Sequence, residues 1–104
     1  MDNVEYIQTA LSGADRAAQL AEEATELAHA ALKLERVLRG TNPTPVTRVK
    51  AIDKVLEETA DVLCALEVLN IRPDNEAIND IQSEKMERWA ERLRKKEAEA
   101  QYGI

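Results

Sequence analysis

An all-α fold, an antiparallel helical bundle of about four helices completed by oligomerisation, is what this sequence predicts. Two observations carry the prediction. Apolar residues recur at helical spacing through nearly the whole chain. The composition, 44% hydrophobic and 33% charged with no Phe, is that of a Leu-, Val-, Ile- and Ala-cored helical protein. At 104 residues the chain is read as one domain, 1–104.

Val4, Ile7 and Leu11 mark a short first helix over residues 3–11. Ser12-Gly13 breaks it, and Ser12 or Asp15 can cap the long helix that follows, 14–39. Gly40 terminates that helix, and Thr41-Asn42-Pro43-Thr44-Pro45 predicts a non-helical loop. Thr47 is the expected N-cap of a third helix over 47–69, which ends across Asn70 to Pro73. Asp74 can cap a fourth helix running to about residue 97, with Gln101 to Ile104 fraying. Short links between long helices favour antiparallel neighbours. Long apolar stripes on so small a protomer predict that it pairs with another copy.

The net charge of -6 argues against broad binding to nucleic acid or anionic membranes. No window approaches the ~18 apolar residues of a membrane span. Met1 is followed by Asp2, Asn3 and Glu5 rather than by a basic and then apolar run, so a cytoplasmic location is expected. Cys64, the single cysteine, sits in an apolar helical stretch, where a buried reduced thiol is expected.

Two acidic pairs stand out: Glu23-Ala24-Thr25-Glu26 in the second helix and Glu58-Thr59-Ala60-Asp61 in the third. Residues three apart on a helix are neighbours, so each pair can act as a two-pronged ligand. Four close carboxylates repel unless a cation lies among them. Leu20, Leu27, Ala31, Leu34 and Leu38 define the apolar stripe of the second helix. Glu23 lies about 40° from its centre, Glu26 about 100° and Glu22 about 140°. Ile52, Val55, Thr59, Val62, Leu66 and Leu69 mark the third helix. From their centre Glu58 is about 70° away, Asp61 about 130° and Glu57 about 170°. The wheel thus selects Glu23, Glu26, Glu58 and Asp61 as metal ligands, Asp61 being the farthest from its stripe among the third-helix pair. It also predicts a dry core on one side of each helix and a site on the other. The bland alternative is that all four are solvated surface charges.

Ligation by oxygen alone predicts a hard cation, Mg²⁺ with Mn²⁺ as a substitute. Mg²⁺ shares its coordination readily with phosphates, which need positive charge from the protein. On the fourth helix Lys85, Arg88 and Arg92 lie on one flank, beside a stripe of Ile78, Met86, Trp89 and Leu93. Ordinary helix pairing, Glu84 with Arg88 or Arg88 with Glu91, is the competing reading.

Glu22-Glu23-Ala24-Thr25-Glu26-Leu27 followed by Glu57-Glu58-Thr59-Ala60-Asp61-Val62-Leu63 resembles the MazG-like all-α nucleoside triphosphate pyrophosphohydrolases, whose signature is Glu-x-x-Glu, a spacer and Glu-x-x-Asp. Lys85-Met86-Glu87-Arg88-Trp89 is similar to the family's basic segment. The resemblance covers roughly residues 15–95. The spacer of 31 residues between Glu26 and Glu58 is slightly long for the family, and the loop at 41–46 can absorb the excess. The resemblance implies Mg²⁺-dependent cleavage of a nucleoside triphosphate to monophosphate and pyrophosphate, in a nucleotide-pool housecleaning role. It implies Glu23, Glu26, Glu58 and Asp61 as catalytic metal ligands. Lys85, Arg88 and Arg92 then become phosphate contacts.

Other readings stay open. Glu26-Leu27-Ala28-His29 matches the Glu-x-x-His element of di-iron bundles, but His29 falls about 160° from the apolar centre and reads as a surface residue. Trp89 has core spacing, while Tyr6, Asn75 and Asn79 are loose candidates for base contacts. A helical nucleotide- or protein-binding module without catalysis is the alternative from a different class.

Overall fold

Four local capping arrangements set the helix starts. In the computed structural model, which describes residues 1–40 and 45–103, the elements are α1 (Asn3–Ala10), α2 (Gly13–Arg39), α3 (Arg48–Val68) and α4 (Glu76–Tyr102). No strand is present among the described residues. Asp2 caps α1 in a capping box with Glu5. Ser12 accepts from the Asp15 amide and Thr47 from the Lys50 amide, as expected of hydroxyl caps. At α4 the cap is Asn75 rather than Asp74, its side chain accepting from the Ala77 and Ile78 amides. The expected loop at 41–45 lies, apart from Pro45, outside the described residues.

Two helix ends are informative. α3 closes in a Schellman arrangement. The Ile71 amide donates to the Leu66 carbonyl and the Asn70 amide to the Glu67 carbonyl, with Asn70 at φ 61°. α4 continues to Tyr102, past the expected end near 97. Lys95 to Gln101 are all good helix formers, and only Gly103, at φ 70°, supplies a terminator.

The chain divides into two compact units, Met1–Ile71 and Arg72 onward. Within the first, α2 packs along α3 and α1 packs on α3. The register is antiparallel. Arg16 meets Val68, Glu23 meets Asp61, and Ala30 shares a cavity wall with Lys54, each step seven residues on along α2 and seven back along α3.

The seam follows a 3-4 repeat: Leu20, Glu23, Leu27, Ala30, Leu34 and Val37 on α2, and Ala51, Val55, Glu58, Val62, Ala65 and Leu69 on α3. Its fully buried members are Ala30, Ala51, Ala65 and Glu58, joined by Val68. The seam is rotated from the stripes that the sequence predicts. Ala31 and Ile52 are exposed, as is Leu38. Small residues let two backbones approach closely, so the helices meet most tightly on their alanines, with Leu20, Leu27, Leu34, Val55 and Val62 half-buried along the seam.

In the second unit, α4 carries its basic and apolar residues on adjoining faces, and Trp89, expected at a core position, is 56% exposed. Cys64, expected to be buried, is exposed.

The Val68 carbonyl near the end of α3 accepts from Arg16 Nη1 at 2.8 Å and from Gln8 Nε2 at 3.1 Å; the Gln8 amide also reaches Asn70. A cation at a helix C-terminus offsets its negative pole. Arg16 Nε is buried without a hydrogen-bond partner among the described residues, which offsets part of this gain. Arg16→Met is expected to cost about 1 kcal/mol, read as a lower urea midpoint with an unchanged slope.

Candidate functional site

The seam repeat places two glutamates where apolar residues normally sit. Glu23, on α2, is half-buried, and Glu58, on α3, is 6% exposed. A carboxylate so buried needs a partner. Lys54, one turn earlier on α3, supplies it: Nζ lies 2.9 Å from Glu58 Oε1 and 3.5 Å from Glu57 Oε2. The Glu58 carboxylate, with Glu57 adding to it, holds the Lys54 ammonium above its ordinary value of 10.5. Lys54 is therefore charged at neutral pH. Glu23 is held in the same way from one turn earlier, by Gln19 Nε2 donating to Oε1 at 2.8 Å.

Asp61 completes the group. One carboxylate oxygen from each of Glu23, Glu58 and Asp61 lies within 4.8 Å of the others. Asp61, placed on the far flank by the helical wheel, comes beside Glu58 and Glu23 because the seam itself is rotated toward it, and it stays exposed. Glu26 is the exception among the four expected ligands. The register sets it level with Glu58, since it is three residues on from Glu23 and Glu58 is three back from Asp61. It is nevertheless exposed and lines a different cavity with His29, Lys33, Arg36 and Lys54. His29 is a surface residue, as its wheel position predicts.

The oxygen-only donor set fits a hard divalent ion. Opposite ligands in an octahedral Mg²⁺ site are separated by about 4.2 Å, twice the metal–oxygen distance. Lys54 and Gln19 were not selected by the acidic motif alone. Their i, i+4 relation to Glu58 and Glu23 was the available signal.

Beside the acidic group is a cavity of about 180 Å³, lined by Glu23, Asp61 and Gln19 and by apolar atoms of Ile7, Leu11, Cys64, Ala65 and Val68. Helix α1 forms one wall through Ile7 and Leu11, while Tyr6 is largely exposed. In the second unit Lys85, Arg88 and Arg92 line one surface hollow with Trp89, so the expected basic flank of α4 is present as a group. Arg88 also pairs with Glu84 at 3.6 Å.

No protein-family profile matches the chain, and no characterised protein or solved structure gives a significant match. No described helix is long and apolar enough to cross a membrane.

Proposed function

We propose that this protein is a Mg²⁺-dependent nucleoside triphosphate pyrophosphohydrolase of the MazG-like type, cleaving a (d)NTP to (d)NMP and pyrophosphate in nucleotide-pool housecleaning in the cytoplasm. The observation that supports this most is the convergence of Glu23, Glu58 and Asp61 from two helices, with Glu58 buried in a seam that apolar residues would otherwise fill. A solvated surface charge has no reason to occupy that position.

Glu23, Glu58 and Asp61 would hold the metal, and Glu26 would join through a change of rotamer. Bound Mg²⁺, with Mn²⁺ as a substitute, supplies charge neutralisation at the phosphate oxygens. The carboxylates position the ion, and a motif glutamate not engaged with it accepts a proton from the attacking water. The cavity bounded by Ile7, Leu11, Cys64 and Val68 offers apolar walls for the uncharged part of a nucleotide. Lys85, Arg88 and Arg92 remain candidates for phosphate contact from α4.

Exposed apolar residues support assembly into a homodimer or homotetramer. Val49, Leu56 and Leu63 follow one face of α3, and Met86, Trp89 and Leu93 one face of α4. The deciding experiment is pyrophosphate release from a panel of standard and modified (d)NTPs, with Mg²⁺ and with EDTA. Metal-dependent release is the expected result. No release from any nucleotide with either Mg²⁺ or Mn²⁺ would replace this reading with the non-catalytic binding module.

A further inference from the structure

Within the first unit three of the basic side chains, Lys33, Arg36 and Lys54, converge on one place with His29. His29, Lys33 and Arg36 succeed one another at four and three residues along α2 and so share a face. Lys54 reaches the same place from α3. Together with Glu26 and the buried Ala30 they line a cavity of about 230 Å³. Lys33, Arg36 and Lys54 place three cationic groups there against the single carboxylate of Glu26, in a chain whose net charge is -6. Lys33 and Arg36 take part in no salt bridge among the described residues, and Arg36 is half-buried. Lys54 ties the cavity to the acidic group through its 2.9 Å contact with Glu58.

We propose that this cavity, formed by His29, Lys33, Arg36 and Lys54, is a polyphosphate subsite that receives a diphosphate moiety, with Lys54 passing from Glu58 to phosphate as a divalent cation takes Glu58. The subsite deepens the pyrophosphohydrolase reading and, for the metal-linked step, rests on it. Its volume is below the ~300–1,000 Å³ of pockets that enclose whole small molecules, which suits a diphosphate rather than an entire nucleotide. Arg36 offers a planar fork matched to phosphate, Lys33 and Lys54 offer compact charges, and His29 a ring N–H. Lys54 pairs with the Glu58 carboxylate that a metal would also use. A cation at Glu58 frees the ammonium at the edge of the cavity, so metal and phosphate each favour the other. Glu26, the one anion of the lining, repels free phosphate but becomes favourable once a cation lies between them.

The test is calorimetric titration of inorganic pyrophosphate into the full chain, with and without Mg²⁺, alongside Mn²⁺ binding followed by electron paramagnetic resonance. Binding of pyrophosphate should be tighter with Mg²⁺. The Lys33→Met/Arg36→Met double variant should lose about tenfold or more in pyrophosphate affinity and keep its Mn²⁺ affinity. Lys54→Met should bind Mn²⁺ alone more tightly, because its competitor is gone, and pyrophosphate less tightly. Lys95→Met/Lys96→Met, on α4 and outside both basic groups, should leave pyrophosphate affinity within about twofold. The double variant Lys33→Gln/Arg36→Gln serves if the methionine pair unfolds. Absent pyrophosphate binding, or affinity that falls with the α4 variant and ignores Lys33 and Arg36, overturns the subsite. The two readings fail separately. Pyrophosphate binding lost in the double variant, with no nucleotide turned over by the wild type, keeps the subsite and removes the enzyme. Turnover with an unchanged KM in the double variant keeps the enzyme and removes the subsite.

Discussion

Glu58→Gln is expected to lower kcat/KM for a nucleoside triphosphate by about three orders of magnitude, the scale of losing several kcal/mol of charge stabilisation in the transition state. The amide keeps the shape of the side chain and the seam intact, so circular dichroism and the melting curve should change little. Glu58→Leu sharpens the test. Replacing a buried, paired carboxylate by an apolar residue is often neutral or stabilising. The leucine variant should therefore hold or raise the melting temperature while losing Mn²⁺ binding. A carboxylate present for the fold would behave in the opposite way, and a destabilised leucine variant with intact metal affinity would exclude Glu58 as a ligand. Glu26→Gln should cost less than Glu58→Gln, because Glu26 lies outside the three-carboxylate group.

Ala51→Leu carries the largest expected effect on stability. Ala51 is 1% exposed at the α2–α3 seam, where a methyl group is all that fits between the backbones. Three added carbons must separate the helices or force strained rotamers, at about 2 kcal/mol. For a chain of this size that corresponds to a fall of about 10 °C in melting temperature. An unchanged melt would mean that the seam is looser than its burial indicates. The reverse change at Leu56, exposed on the outer face of α3, gives the contrast: Leu56→Ala should leave the melt of an isolated protomer nearly unaltered.

Most of the secondary structure was legible because its signals are local. Ser12 and Thr47 cap by bonding an amide three residues on, and Gly40 turns the chain at φ 68°, so each acts without help from distant residues. The α4 terminus was less legible, since Lys95 to Gln101 contain no breaker and only the tertiary setting could have ended the helix earlier. The acidic site was legible in part. Spacing selected Glu23, Glu58 and Asp61, which do converge, but it also selected Glu26, which lines a different cavity. The reason lies in how the interior was located. A helical wheel centred on the largest side chains assumes that they are buried. Here Ala30, Ala51 and Ala65 are buried instead and the contact line is rotated, which sets Asp61 beside Glu58 and Glu23 although it stays exposed. Cys64 was misjudged for the same reason: it is exposed, on the wall of a cavity.

The alanine-lined seam also sets how the protomer responds to heat and denaturant. No large side chain is fully buried among the described residues, so unfolding uncovers little new apolar surface. Heat capacity and denaturant slope both scale with that surface. An isolated protomer should therefore unfold over a broad temperature range, with a heat-capacity step well under the ~1.2–1.5 kcal/mol/K usual for 100 residues. Its stability would then vary only gently between cold and warm conditions, and calorimetry would record a low, wide endotherm where a leucine-packed bundle of the same length gives a sharp one.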